Sequence, residues 1–462
     1  MEENPKKVVQ VEPQAGETVM VDPVNACSLH GSFETCLTAR DIVPLFHGTA
    51  GCPCYMWLTM VSNPTYRGLS ELKFPTTCLR ESDIVYGGEK RLEANIAQAV
   101  ERYHPRLILV IASCTPSIIG DDIQSVARRM SQRYQIPIVA VDTRSARWDH
   151  GEGRVAAQKA LIKGVMRPPS LRCPNTVNIL GLYPGDYNWR GDMREIRRLL
   201  EGIGVEVNAF FPAVEEFEEL LRVPEASLNL VLSAECGLEP ARELERSFGI
   251  PYRVALPPYG LSGTAEWLRT VGQAMGLEEG RVEEFIRKES REVADTIVPH
   301  FTSFGQVRLL RGIPTALFGD GSRLAGLVGF IARELGMKPV LVGLKTSVEA
   351  SRERLEQARE ALGLNFLLLD QVRSIEEIVR AFESTRVDFL FASDLESKLA
   401  GMHFQIGAFV GISSPIFFKY NVTYRPYMGY RGTVYLFEEI MNARMQMYQS
   451  HRPYGSFWDL PD

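Results

Sequence analysis

Cys27, Cys52 and Cys114 are the residues of this chain best placed to do chemistry. They stand in Val-Asn-Ala-Cys27-Ser, His-Gly-Thr-Ala-Gly-Cys52 and Ile-Ala-Ser-Cys114-Thr-Pro. Each is flanked by small or turn-forming residues, so its sulfur can project from a tight turn or a strand end. The intervals of 24 and 61 residues are too long for a local zinc knuckle and suit a cluster assembled from separate loops. Thiolates are soft, charged donors that suit iron. A four-iron cluster ordinarily takes four of them. Three from one chain leave a ligand missing, and the simplest completion is a second polypeptide. On spacing alone, three buried inert thiols fit equally well.

Elements must exist to carry these sulfurs. From Arg106 onward, short apolar runs alternate with helical patterns. Leu107 to Ala112, Ile136 to Val141, Thr176 to Leu182, Leu228 to Leu232, Thr315 to Phe318, Pro339 to Val342, Phe366 to Leu369 and Asp388 to Phe391 are rich in Val, Ile and Leu at consecutive positions. Such runs suit strands covered on both faces. Amphipathic stretches lie between them: Asp192 to Gly202, Glu239 to Phe248, Arg323 to Leu335 and Ser351 to Leu362. This alternation predicts an α/β fold with parallel sheets and right-handed crossovers. A proline-rich joint at Met166 to Asn175 and a break at His300 to Ile313 divide the chain into three α/β units, 1–170, 171–305 and 306–462.

Composition removes several classes of function. The 462 residues are 45% hydrophobic and 23% charged, with a net charge of −6, which gives no electrostatic case for nucleic acid or anionic membranes. The polar opening Met1-Glu-Glu-Asn-Pro-Lys-Lys7 is unlike a secretory signal. Ile406 to Phe418 is apolar but too short to span a bilayer and reads as a buried segment. A cytoplasmic location with eight reduced cysteines is expected.

Four ordered passages resemble component 1 of the nitrogenase superfamily. They are Leu45-Phe-His-Gly-Thr-Ala-Gly-Cys52, Glu81-Ser-Asp-Ile-Val-Tyr-Gly-Gly-Glu-Lys-Arg-Leu92, Ser113-Cys-Thr-Pro-Ser-Ile-Ile-Gly-Asp-Asp122 and Gly185-Asp-Tyr-Asn-Trp-Arg-Gly-Asp192. Tyr427-Met-Gly-Tyr-Arg-Gly432 is similar to the family's closing turn. The resemblance implies three Rossmann-like domains. It also implies paired homologous subunits in a heterotetramer, each supplying Cys27, Cys52 and Cys114 or their equivalents to an interfacial iron–sulfur cluster. That cluster, of the eight-iron P-cluster type or a 4Fe–4S type, would take electrons from an ATP-hydrolysing iron protein. The implied function is that of an oxidoreductase subunit relaying low-potential electrons to a reduction site. A cofactor-assembly scaffold and a tetrapyrrole reductase-like subunit are the alternatives.

Other positions weigh differently. Members that work on a large iron–sulfur cofactor hold it with a cysteine of the second domain and a histidine of the third. Here Ser233 falls at the first position and Lys419 near the second, and neither suits iron at neutral pH. That favours a beta-like subunit without cofactor ligands and leaves the catalytic residues unassigned. Cys236 enters only if the register slips. Cys54 reads as a core or supporting residue more readily than a ligand, and the sequence leaves metal binding open at both. Cys36 and Cys173 read as packing residues, and His47 as a hydrogen-bonded loop histidine. Asp121 and Asp122 read as helix caps, in a segment that borders the iron-protein docking surface in the family. Gly319-Asp-Gly-Ser322 lacks the spacing and the lysine of a nucleotide loop.

Overall fold

The computed structural model describes residues 27–66, 73–143, 150–302, 310–372, 374–403 and 406–450. Its twelve strands form three separate sheets, and every recorded strand pair is parallel.

The first sheet has the order β1-β2-β3: β1 (Ile42–His47), β2 (Leu107–Ala112) and β3 (Ile138–Asp142). Helices α1 (Ser28–Glu34), α2 (Gly51–Ser62), α3 (Glu81–Tyr86), α4 (Glu89–Tyr103), α5 (Cys114–Ile119), α6 (Ile123–Tyr134) and α7 (His150–Gly164) surround it. β1 is an edge strand, so the missing N–H of Pro44 breaks no ladder on its open side.

The second sheet, ordered β5-β4-β6-β7, contains β4 (Cys173–Leu180), β5 (Glu206–Phe211), β6 (Ala226–Val231) and β7 (Tyr252–Val254). Its helices are α8 (Trp189–Ile203), α9 (Phe217–Arg222), α10 (Ala234–Phe248), α11 (Gly260–Ala274) and α12 (Glu279–Thr302). The third sheet has the order β10-β9-β8-β11-β12: β8 (Pro314–Gly319), β9 (Lys338–Leu344), β10 (Leu367–Leu369), β11 (Phe389–Ala392) and β12 (Ala408–Gly411). It carries α13 (Gly321–Gly329), α14 (Glu349–Ala361), α15 (Ile375–Ser384), α16 (Asp394–His403) and α17 (Gly429–Ser450).

The sheets are not insulated from one another. One apolar cluster runs from Phe33 and Leu109 to Val231 and Leu244, joining the first sheet to the second. Another runs from Ile196 and Leu230 to Leu317 and Ile440, joining the second to the third. Among the described residues no helix is long and apolar enough to cross a membrane. The expected buried segment 406–418 is buried along β12 but not to its end, because Phe418 is 83% exposed. The chain leaves the sheet after Gly411; Ile412, Ser413 and Ile416 stay buried, and the burial ends at Phe418.

Candidate metal centre

Parallel pairing brings the C-terminal ends of β1 and β2 side by side, with His47 opposite Ala112. The loops that leave these ends carry Cys52, second residue of α2, and Cys114, first residue of α5. The two loops are fastened together. Ser113 N donates to His47 O at 2.8 Å, and a Cβ on Gly48 would come within 2.1 Å of Ser113 Oγ. Only glycine lets the backbone approach this closely.

Cys27 arrives from elsewhere and is tied to the same edge. It caps α1, accepting from the backbone N–H of His30 at 3.0 Å. Next to it, Ser28 Oγ donates to Thr143 O at 3.1 Å, and Thr143 Oγ1 donates to Ala112 O at 2.6 Å. This chain of two hydrogen bonds holds the Cys27 turn against the ends of β2 and β3. Partial burial raises the Cys52 thiol above its usual pKa, and the neighbouring Cys27 and Cys114 push it the same way. The three sulfurs thus share one electrostatic neighbourhood. Among the described residues no three such donors close on a single metal ion.

Cys52 and Cys54 are exposed, while Cys27 and Cys114 are half-buried. Around them α2 presents Tyr55, Trp57 and Leu58, each at least half exposed, and α3 and α5 present Val85, Tyr86 and Ile118. An exposed apolar field of this kind marks a contact surface.

His47 is buried behind this edge. Its Nε2 lies 2.9 Å from Asp121 Oδ2 and its Nδ1 lies 3.2 Å from Thr77 Oγ1. Burial lowers its pKa, and Asp121 opposes the shift. The two aspartates expected as caps divide the work. Asp122 caps α6 by accepting from Ser125 N at 2.9 Å, whereas Asp121 also accepts from Gly88 N at 2.9 Å and so braces the α3–α4 turn.

A second polar region lies where the ends of β4, β6 and β8 meet. A cavity there is lined by Arg154, Asp186, Ser233, Asp320, Ser322 and Arg323, among others. Ser233 Oγ donates to Glu235 Oε2 at 3.0 Å, and Ser322 Oγ donates to the same oxygen at 2.5 Å. Arg323 pairs with Asp186 at 2.9 Å. Arg154 Nε donates to Glu34 Oε2 at 2.8 Å, and its Nη1 reaches Cys236 Sγ at 3.7 Å. His150 Nε2 lies 2.7 Å from Glu34 Oε2, and Tyr66 OH donates to the other carboxylate oxygen. Burial alone would raise the Glu34 carboxyl. Arg154 and then His150 outweigh it and hold the group well below the usual carboxylate range.

Burial raises the Cys236 thiol to about 12, far from a thiolate at neutral pH. Lys419 does not line this cavity and is paired with Glu439. The donors here therefore do not fit a metal–sulfur cofactor: the hydroxyls are spent on Glu235, and the one thiol is sealed under a guanidinium. Cys36, buried with its thiol likewise raised to about 12, is a packing residue. The Glu34–Arg154 pair was missed from the sequence, because its partners lie 120 residues apart.

A family model described as Nitrogenase component 1 type Oxidoreductase matches residues 27–445. The chain is 28% identical to the nitrogenase iron-molybdenum cofactor biosynthesis protein NifE of Rippkaea orientalis, over 90% of this chain and 84% of that protein. It is 26% identical to one of the subunits of the light-independent protochlorophyllide reductase of Staurastrum punctulatum, over 77% of this chain and 71% of that protein. A solved structure, Nitrogenase Cp1 at pH 6.5, superimposes with a TM-score of 0.82 over 97% of this chain and 98% of that one, at 22% identity. That likeness speaks to the fold.

Proposed function

Because the chain belongs to the nitrogenase component 1 type oxidoreductase family, we propose that it is a subunit of a nitrogenase-like complex sharing an iron–sulfur cluster with a homologous partner. Cys27, Cys52 and Cys114 are its ligands, and the partner supplies the rest. The observation that supports this reading is that three thiols from three separate turns share one electrostatic neighbourhood at one sheet edge, beside an exposed apolar field. When bound, the cluster supplies one-electron chemistry at low potential. The chain's own part is to hold three sulfurs in fixed relation. Gly48 and Ser113 join two of their loops, and the Ser28–Thr143–Ala112 bonds tie in the third.

In this reading, electrons come from an ATP-hydrolysing iron protein, and the reduction site lies outside the cavity lined by Ser233. The occupied hydroxyls and the buried Cys236 favour a beta-like role without cofactor ligands. Cys54 is exposed two positions beyond Cys52 on α2 and belongs to the contact face rather than the ligand set.

Anaerobic co-purification with the neighbouring gene product, followed by iron counting and EPR, tests the reading. Cys52→Ala is expected to abolish the interfacial cluster signal and weaken the pair, since a thiolate bridging two chains links metal binding to association. Unchanged iron and unchanged complex mass in that variant would remove the proposal.

A second reading, a subunit that builds a cofactor and passes it on, draws on the similarity to NifE over 90% of this chain. It uses the same three thiols. The two readings part on the product: an assembly subunit releases a cluster to an acceptor protein, whereas a reductase releases a reduced small molecule.

A further inference from the structure

A third polar site lies away from both regions, at the opening of α8. It is a cleft of about 320 Å³, open mouth included, lined by Thr65, Tyr187, Asn188, Arg190, Asn421 and Tyr424 together with the first turn of the helix. Tyr424 is its platform and is held with care. Its backbone is left-handed, with φ of 53°. Asn421 brackets the next residue, accepting from Arg425 N at 2.8 Å and donating to Arg425 O at 3.0 Å. Asn188 Nδ2 donates to the same carbonyl at 2.9 Å. Gly191 lets the loop press on the helix, since a Cβ there would come within 2.4 Å of Tyr424 O.

Two guanidiniums rest on this ring: Arg190 with its central carbon 5.4 Å from the centroid, and Arg194 at 4.6 Å. Arg190 also stacks on Trp189 at 4.5 Å. Burial lowers the Arg190 pKa and the like charge of Arg194 adds to the shift, while Tyr424 and Glu215 oppose it. Arg194 makes no ion pair among the described residues, whereas the nearby Lys419 is already neutralised by Glu439. The acid in the first turn, Asp192, is turned away and accepts from Tyr427 N at 2.7 Å and Met428 N at 2.9 Å. The site therefore gathers positive charge, from two guanidiniums and from the N-terminal dipole of a 15-residue helix.

Among the described residues, two buried polar atoms on side chains that line the cleft have no partner. Asn188 is 2% exposed; its Nδ2 donates to Arg425 O, and its Oδ1 has no partner among the described residues. It makes no side-chain cap of its own helix. Thr65 is 7% exposed, and its Oγ1 is unpartnered as well. Buried polar atoms are seldom left unmatched, and each one asks for an explanation. Thr65 Oγ1 can donate to an anionic oxygen, and Asn188 Oδ1 requires a donor. A protonated phosphate offers both an anionic oxygen and an O–H.

We propose that this cleft is an oxyanion site that takes phosphate or a phosphomonoester, held by Arg190, Arg194 and the opening of α8. The group is recognised by charge-assisted bonds from the guanidiniums, by the Thr65 hydroxyl, and by donation of its own O–H to Asn188.

Calorimetric titration of the full-length chain, with its partner where the two co-purify, tests this at constant ionic strength. Inorganic phosphate is expected to bind at one saturable site, and sulfate, which has no O–H at neutral pH, to bind more weakly. Arg194→Gln alters an exposed side chain and is expected to weaken phosphate about tenfold or more. Thr65→Val is expected to weaken it less. Lys90→Gln, the same charge change on α4, is expected to leave it unaltered. Glycerol phosphate as a second probe separates a free ion from the head of a larger metabolite. The proposal is overturned if phosphate shows no saturable binding, if Arg194→Gln binds it as the parent does, or if Lys90→Gln weakens it equally.

Discussion

The thiol edge of the first sheet and the cavity between the second and third sheets answer the same physical problem in opposite ways. Both gather polar side chains at the C-terminal ends of parallel strands, where α/β folds leave a crevice. At the cavity the main charged and hydroxyl groups are paired internally: Glu235 takes two hydroxyls, Asp186 takes Arg323, and Glu34 takes Arg154. At the thiol edge the side chains of Ser28 and Thr143 fasten the backbone, and Cys52 and Cys54 stand exposed beside exposed aromatic residues. A region that satisfies itself supports the fold. A region that presents thiols among exposed apolar side chains suits contact with something outside.

The largest effect expected within the comparison comes from the self-satisfied side. Arg154→Met leaves the Glu34 carboxylate buried without its main partner. Breaking a buried pair in this way costs about 3–5 kcal/mol, measurable as a lower urea midpoint. Replacing both members, Glu34→Leu with Arg154→Met, is expected to recover most of the loss. If the single variant is as stable as the parent, the cavity network is not what fastens α1 to α7. Because the folded-state pKa of Glu34 is depressed, its contribution is present above the ordinary carboxylate range and fades as pH falls through the folded value.

Next is a substitution at the open edge. Gly48→Ala drives a methyl into Ser113. We expect a loss of about 1–3 kcal/mol, typical of overpacking, with reduced iron in the purified complex because the Cys114 turn must move. Ser113→Gly in the same chain is expected to restore both. A double variant no better than the single one would show that the contact does not position Cys114.

Much of this contrast was legible beforehand, and what was missed has physical causes. Leu107–Ala112 could be read as a strand because every residue is apolar and both faces are covered. Ile42–His47 went unread because Pro44 interrupts it, which only its place at the sheet edge permits. Glu206–Phe211 opens on a charged residue and carries Asn208, and Ala408–Gly411 is only four residues long. Pro240 hid the first turns of α10, which begins at Ala234 rather than Glu239. The three cysteines stood out by type, but their approach depends on bonds such as Ser28 to Thr143, 115 residues apart. Asp121 and Asp122 are neighbours with different tasks, and nothing local distinguishes the one that reaches back 74 residues to His47.

A pH-dependent effect concerns the seam beside the cavity. Burial raises the Asp192 carboxyl to about 7, against two backbone N–H bonds that favour its charge. A raised folded pKa means that the native state holds the proton more tightly than the unfolded chain. Its contribution is full below the ordinary aspartate value and is lost as pH rises toward 7. Stability is therefore expected to fall between about pH 4 and 7, at no more than about 1.4 kcal/mol per pH unit. Asp192→Asn keeps an oxygen for Tyr427 and Met428 and is expected to flatten that segment of the profile. An unchanged slope in the variant would assign the pH dependence to another group.

The smallest effect bears most directly on what separates the two regions. Ser233→Ala removes one donor from Glu235, while Ser322 still supplies its hydroxyl at 2.5 Å and its backbone N–H at 3.0 Å. Because those bonds remain, the cost is expected to be about 1 kcal/mol. Iron content and the EPR signal of the complex are expected to match the parent, since a hydroxyl held by a carboxylate is not a metal ligand. A variant that loses iron while Cys52→Ala retains it would reverse the assignment of the two regions, placing the metal in the cavity and leaving the three cysteines as packing. Loss of iron in both variants would mean that the cavity and the edge are coupled through the Glu34–Arg154 seam, and the Arg154→Met variant would then be expected to lose iron as well as stability.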